Sequence, residues 1–204
     1  MSHTNYISSM DYKLKSKRPL HRGFFHLDSY SIEHERFDGG TLHIEREHLE
    51  RGNAVAVLLY DAESDDVLLI EQFRIGAAVR KDNAWLIEVV AGMIDEGEDA
   101  QAAGRREAIE EAGYAPTSMQ FLGKYYTTPG GSSEHITLFL GLVNRHEPIG
   151  GGGGMACEHE DIRHFWLPRA QAMQWIFNGR INSGAPMLAL LLAFSDRVSA
   201  CREG

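Results

Sequence analysis

Apolar residues along this chain gather in short runs whose spacing changes from one segment to the next. From Gly23 to Leu49 the runs are strand-like, as in Phe24-Phe25-His26-Leu27-Asp28-Ser29-Tyr30-Ser31-Ile32, and they flank a turn at Asp38-Gly39-Gly40. Alternation with period two puts one set of side chains on one face, so a hairpin or small antiparallel sheet is expected here. Ala54 to Tyr60 and Val67 to Glu71 read as two buried strands, joined by the turn-rich Asp61-Ala62-Glu63-Ser64-Asp65-Asp66. Trp85 to Val90 reads as a third strand. Ala100 to Ala112 is a helix, with Gly113 placed to end it. Phe121 to Tyr126 and His135 to Val143 are further strands, Ile162 to Leu167 is the last, and Arg169 to Asn178 and Ala185 to Arg197 are helices. The five glycines at 150–154 are expected to make a mobile loop, and residues 1–20, polar and unpatterned, a flexible arm. Strands and helices interleave without regular βαβ alternation. The fold class is therefore α/β in the broad α+β sense, including a three-layer α/β/α sandwich around a mixed sheet.

The bulk numbers narrow the function. A chain of 204 residues has enough length for one sizeable core, and 43% hydrophobic with 24% charged residues is ordinary for a globular protein. A net charge of −9 argues against a nucleic-acid backbone as partner. Neither cysteine, Cys157 or Cys201, lies in a metal or redox spacing, so both are expected to be free thiols. The N-terminal residues hold no apolar signal core, and the longest apolar run, Met187 to Phe194, is too short to span a bilayer. A cytoplasmic protein with no membrane partner is expected. The ten histidines are scattered without a zinc-like pair, and the glycine run lacks the lysine and following helix of a phosphate-cradling P-loop.

Chemistry concentrates between Gly92 and Tyr114, GMIDEGEDAQAAGRREAIEEAGY. Glu107, Glu110 and Glu111 stand at i, i+3 and i+4, which crowds three carboxylates onto one face of a helix. Like charges at that spacing repel unless a cation sits among them, and Mg²⁺ or Mn²⁺ favours such hard oxygen ligands. The whole segment fits Gly-x5-Glu-x7-Arg-Glu-U-x-Glu-Glu-x-Gly-U, U being apolar, at Gly92, Glu98, Arg106, Glu107, Ala108, Glu110, Glu111, Gly113 and Tyr114. That pattern is the Nudix box, and the chain resembles the Nudix hydrolases. The resemblance implies divalent-metal-dependent hydrolysis of a nucleoside diphosphate linked to another group. It also implies a mixed sheet between helices over residues 51–200, preceded by a small N-terminal antiparallel sheet over 21–50.

A second pattern bears on substrate. Pro129 lies 16 residues beyond Gly113, within Thr128-Pro129-Gly130-Gly131-Ser132-Ser133-Glu134. Glycines there let a backbone approach a ligand, and proline fixes the turn. This run resembles the ADP-ribose pyrophosphatases within the superfamily, as do Arg22-Gly23-Phe24-Phe25, Leu69-Ile70-Glu71-Gln72-Phe73-Arg74 and Glu158-His159-Glu160-Asp161-Ile162. That subfamily implies conversion of ADP-ribose to AMP and ribose 5-phosphate, with Mg²⁺ as cofactor and Mn²⁺ as an alternative. It implies metal ligands at Glu107, Glu111, Glu160 and the Ala91 carbonyl, and a general base at Glu158. Arg106 would orient carboxylates, Glu110 would stand behind the ligands, and Gly92 and Glu98 would shape the box loop. Substrate contacts are implied for Phe24, Phe25, Arg46, Glu50, Arg74, Met93, Thr128, Pro129, Gly130 and Glu134. The subfamily also implies a homodimer formed through residues 21–50. One departure is Glu45-Arg46, where the pattern often has two arginines. Two alternatives stay open: a nucleotide-sugar pyrophosphatase of the GDP-mannose type, and a non-catalytic sensor of ADP-ribose, against which the intact box argues.

Overall fold

The alternation before residue 50 becomes a three-stranded antiparallel sheet, β1 (Tyr12–Arg22), β2 (His26–Glu35) and β3 (Thr41–Glu50), in that order. The computed structural model describes residues 10–155, 157 and 159–195. It divides into two compact units, Met1–Gly52 with Thr127–Glu134, and Asn53–Tyr126 with His135–Gly204. In the first unit Gly39 and Gly40 turn the β2–β3 hairpin at φ +91° and +81°, a region that costs a glycine nothing. Residues 12–20, expected within a flexible arm, are instead part of β1. All eleven residues of that strand are exposed, so no buried face imposed an alternation on its sequence. Its order comes from pairing with β2, from Tyr12↔His34 to Arg22↔His26. Pro19 is tolerated because β1 is an edge strand and need not donate on its free side. The loop at 127–134 joins this unit through the Leu49 N–H, which donates to the Gly131 carbonyl at 2.7 Å.

The second unit contains β4 (Ala54–Asp61), β5 (Asp66–Phe73), α1 (Ile75–Arg80), β6 (Trp85–Glu88), β7 (Val90–Met93) and α2 (Ala100–Ala112). It continues with β8 (Ser118–Tyr126), β9 (His135–Leu142), β10 (Arg163–Pro168), α3 (Arg169–Phe177) and α4 (Gly184–Phe194). The sheet runs β10-β5-β4-β9-β8 and is mixed, since β4 and β9 are parallel while the other pairs are antiparallel. β4 and β5 pair only near their turn, from Leu59↔Leu68 to Asp61↔Asp66. Beyond it they part, and β7 pairs with β4 while β6 pairs with β5. The expected single strand from Trp85 to Val90 is thus two strands, changed over at the fully buried Val89.

Both faces of this sheet are covered, which is why β4 and β5 read as continuous apolar runs. Val55, Val57, Leu59, Leu68 and Ile70 pack with Ala103, Ala108 and Ala112 of α2. Ala56, Leu58, Val67 and Leu69 pack with Ala172, Trp175 and Ile176 of α3 and Ala189 and Leu190 of α4. Each fully buried Leu or Ile contributes about 1.5–3 kcal/mol relative to exposure. The result is an α/β/α sandwich. The helix α1 had no signal in the sequence because its six residues are too few to set a helical period. The expected end of the last helix, Arg197, lies outside the described residues. No helix among the described residues is long and apolar enough to cross a membrane.

Candidate active site

The helix α2 is built to lie close to the sheet. Asp99 caps its start by accepting from the Gln101 N–H at 3.1 Å, and Gly113 ends it at φ +77°. Its sheet-facing positions are small: a Cβ on Gly104 would sit 2.9 Å from a Val57 methyl and 3.0 Å from the Met119 methyl. That close seating carries Glu111 into the interior, where it is 1% exposed. The Ala91 N–H of β7 donates to Glu111 Oε2 at 3.0 Å. Burial, foremost, with the charges of Glu107 and Glu160, pushes the Glu111 carboxyl up to about 8 despite that hydrogen bond. Burial raises Glu107 as well, against the pull of Arg106.

One guanidinium organises the carboxylates around it. Arg106 Nη1 donates to Glu107 Oε1 at 2.6 Å and to Glu110 Oε2 at 3.2 Å. Its Nε and Nη2 donate to Glu98 at 3.2 and 3.1 Å, and Nη2 also reaches the Met93 carbonyl at 3.1 Å. Arg106 therefore ties the box loop to the helix and holds two carboxylates in fixed directions. Glu98 completes the brace by accepting from the Asp95 N–H at 3.2 Å, and its bond from Arg106 keeps it below the usual carboxylate range. Gly92 lies so close under Glu107 that any Cβ there would collide with the carboxylate.

Ala91, Gly92, Met93, Glu98, Arg106, Glu107, Glu110 and Glu111 are thus brought together, and Glu160 lies near enough for its charge to bear on both Glu107 and Glu111. Among the described residues no three acidic, histidine or cysteine side chains converge at metal-binding spacing. Glu107 is turned to Arg106, Glu111 to Ala91, and Glu160 to the Met155 N–H at 3.1 Å. The donor set nonetheless fits a hard divalent cation. It is all oxygen and like-charged, Glu107 and Glu111 are desolvated, and ionised carboxylates in that state need a compensating charge. Glu158 lies outside the described residues.

Arg74 stands in the same unit with Nε donating to Glu88 Oε2 at 2.7 Å. The remaining expected substrate contacts belong to the other unit. There Phe24 and Phe25 meet edge to face at 5.0 Å, and Phe24 is 83% exposed, which removes core packing as its role. Glu134 is buried, accepts from Thr127 Oγ1 at 2.8 Å and pairs with Arg51 at 3.2 Å. Glu50 accepts from the Gly52 N–H and from Ser133 Oγ, which hold its carboxyl below the usual range. Arg46, Pro129 and Gly130 line a groove of about 340 Å³ with Leu14, Tyr30 and His48. Thr128 accepts through its carbonyl from the N–H groups of Gly131 and Ser132, which closes the turn beside that groove.

A family model described as the NUDIX domain matches residues 50–188. The chain belongs to the Nudix family. Relatives named ADP-ribose pyrophosphatase are 41% identical over 181 residues in Escherichia coli K12, covering 88% of this chain and 86% of the relative, and 37% identical over 194 residues in Haemophilus influenzae, covering 93% and 89%. A relative from Shigella flexneri named GDP-mannose pyrophosphatase is 36% identical over 172 residues, covering 84% and 88%. A solved structure titled as an ADP compounds hydrolase superposes with a TM-score of 0.68 over 95% of this chain and 96% of that one, at 22% identity, which bears on the fold.

Two side chains of this Nudix protein that the sequence left unremarked flank the expected residues. Arg51 pairs with Glu134 and lies 5.5 Å over the Phe25 ring, and Glu88 holds Arg74. Arg51 stood in plain view beside Glu50, but its partner is 83 residues away in sequence, and no local period marks such a pair.

Proposed function

We propose that this Nudix enzyme hydrolyses the diphosphate of ADP-ribose, giving AMP and ribose 5-phosphate, with Mg²⁺ or Mn²⁺ held by Glu107, Glu111, Glu160 and the Ala91 carbonyl. The observation that carries the reading is the buried Glu111 beside Glu107 on a helix that Arg106 organises. The relatives named ADP-ribose pyrophosphatase support the substrate. When bound, the divalent cation supplies charge neutralisation at the diphosphate and polarises phosphorus toward attack by water. Arg106 holds Glu107 and Glu110 in place. Glu158 takes the proton of the attacking water as one anhydride P–O bond breaks, and the leaving phosphate departs as a monoester. Phe24 and Phe25 offer exposed rings for adenine, Arg46 and Arg74 offer charge to phosphate, and Glu50 and Glu134 accept from ribose hydroxyls. Met93, Thr128, Pro129 and Gly130 shape the substrate's surroundings.

A second reading, hydrolysis of GDP-mannose, draws support from the relative of that name. Purified enzyme with Mg²⁺ should be offered ADP-ribose, GDP-mannose, ADP-glucose and NADH, and the phosphate monoesters counted after phosphatase treatment. ADP-ribose is expected to give the highest kcat/KM. A preference for GDP-mannose would replace the proposed substrate with the second reading. In the same assay Glu158→Gln is expected to lower kcat by about 10²–10⁴ with little change in KM, the usual contribution of a general base. A Glu158→Gln variant of unchanged kcat would move the base elsewhere, Glu110 and Glu98 being next.

A further inference from the structure

The glycine run was expected to swing freely, yet it is bonded to the end of the catalytic helix. The last carbonyls of any α-helix lack partners within the helix. In α2 the carbonyls of Ala108 and Ile109 are taken by the N–H groups of Tyr114 and Gly113. Those of Glu110 and Glu111 are taken by Gly154 at 3.1 Å and Gly153 at 2.8 Å, and the Gly113 carbonyl accepts from Ile149 at 2.8 Å and Gly150 at 3.3 Å. Two backbones meet here with nothing between them. A Cβ at Gly152 would lie 2.7 Å from the carbonyl carbon of Ala112 and from the Glu111 oxygen, and one at Gly113 would strike the Gly150 carbonyl. Gly152, Gly153 and Gly154 also stand at φ +62°, +104° and +82°, a run that residues with side chains rarely adopt. Gly151, by contrast, faces open space.

The opposite side of the same segment grips the acidic loop. The Ile162 N–H donates to the Gly153 carbonyl at 3.2 Å, and Ile162 is buried against the α2 face of the sheet. The Met155 N–H donates to Glu160 Oε2 at 3.1 Å, and a Cβ at Gly154 would lie 2.7 Å from both Cβ and Oε2 of Glu160. One short strip of backbone therefore bonds the residues that carry Glu110 and Glu111 on one side and fixes Glu160 on the other.

We propose that Gly152, Gly153 and Gly154 are positioning residues, which set the Glu160 carboxylate at a fixed height against Glu107 and Glu111 so that the three serve one divalent cation. The inference rests on the reading that α2 holds such a cation. A side chain at 152 lifts the strip off the helix and takes Glu160 with it, whereas a side chain at 151 meets nothing. Removing groups that orient metal ligands typically costs 10–100-fold in metal affinity.

Mn²⁺ binding to the full chain, read by electron paramagnetic resonance without substrate, tests this apart from turnover. Gly152→Ala is expected to weaken Mn²⁺ binding by about tenfold or more, while Gly151→Ala binds as the wild type does. In a Glu160→Gln background Gly152→Ala is expected to add nothing, because both changes act on one carboxylate. Thermal unfolding is recorded for each variant. If Gly152→Ala does not fold, Gly154→Ala carries the test, since its methyl meets Glu160 rather than the helix. Wild-type Mn²⁺ affinity in the folded glycine variant, or losses that add to that of Glu160→Gln, would overturn the positioning role. Mn²⁺ binding that survives Glu111→Gln would overturn the metal reading itself, and this inference with it.

Discussion

Glu111 carries a conflict that only its chemistry resolves. It is a buried carboxyl facing Glu107 and Glu160, with the Ala91 N–H as a partial compensation, and its pKa is about 8. Without metal, the folded chain holds a proton there that the unfolded chain releases near the ordinary value of 4.5. The sign follows: its stabilising contribution is complete below about pH 4.5 and is lost as pH rises to about 8. Metal-free protein should therefore show a Tm that falls over pH 5 to 8, less steeply once Mn²⁺ displaces the proton. Glu111→Gln should lack this part of the slope, and a wild-type slope in that variant removes Glu111 as its cause. The same change is expected to lower turnover by about 10²–10³, the scale for losing one transition-state stabiliser. Turnover near wild type at saturating Mg²⁺ counts against Glu111 as a ligand. The i, i+3, i+4 spacing made the cluster legible; its depth of burial was not, because burial depends on what the helix rests upon.

At the scale of elements, the depth of Glu111 is set by the thinness of α2 where it meets β4. Ala103, Gly104, Ala108 and Ala112 leave little more than backbone between helix and sheet. A leucine at 104 must displace Val55, Val57 or Met119, and overpacking of this kind costs about 1–3 kcal/mol. Gly104→Leu should lower the urea midpoint by a corresponding amount and weaken Mn²⁺ binding together with it, because α2 moves as one body. An unchanged midpoint would mean that the helix is not held by this contact. The helix end was readable, since the stop at Gly113 is a local signal, and the structure adds the cap at Asp99 that fixes its start. The docking of residues 150–154 was not, because glycine says only what the backbone is free to do, and here that freedom serves close contact.

At the scale of the whole molecule, β1 exposes all eleven residues, with Tyr12, Leu14 and Leu20 among its exposed apolar side chains. A three-stranded sheet with so little buried on it gains stability by covering a face. We expect a homodimer through this unit, with light scattering near twice 22.8 kDa at micromolar concentration. Replacing Leu14 and Leu20 with lysine should shift the mass toward the monomer. An active full-length monomer at that concentration would end the idea.

The sequence by itself determined the two-faced burial of β4 and β5, the bounds of α2 and the gathering of Glu107, Glu110 and Glu111 on that helix. Each is written in residues a few positions apart, where period, caps and spacing act through local backbone geometry. The tertiary structure alone decided that 12–22 is a strand, that the run from Trp85 divides at Val89, and that Arg51 meets Glu134 and Arg74 meets Glu88. It also decided that the glycine run caps α2. The reason is physical: edge pairing, strand splitting and ion pairs across long loops depend on which distant segments fold back together, and a side chain's own neighbours in the chain carry no record of that.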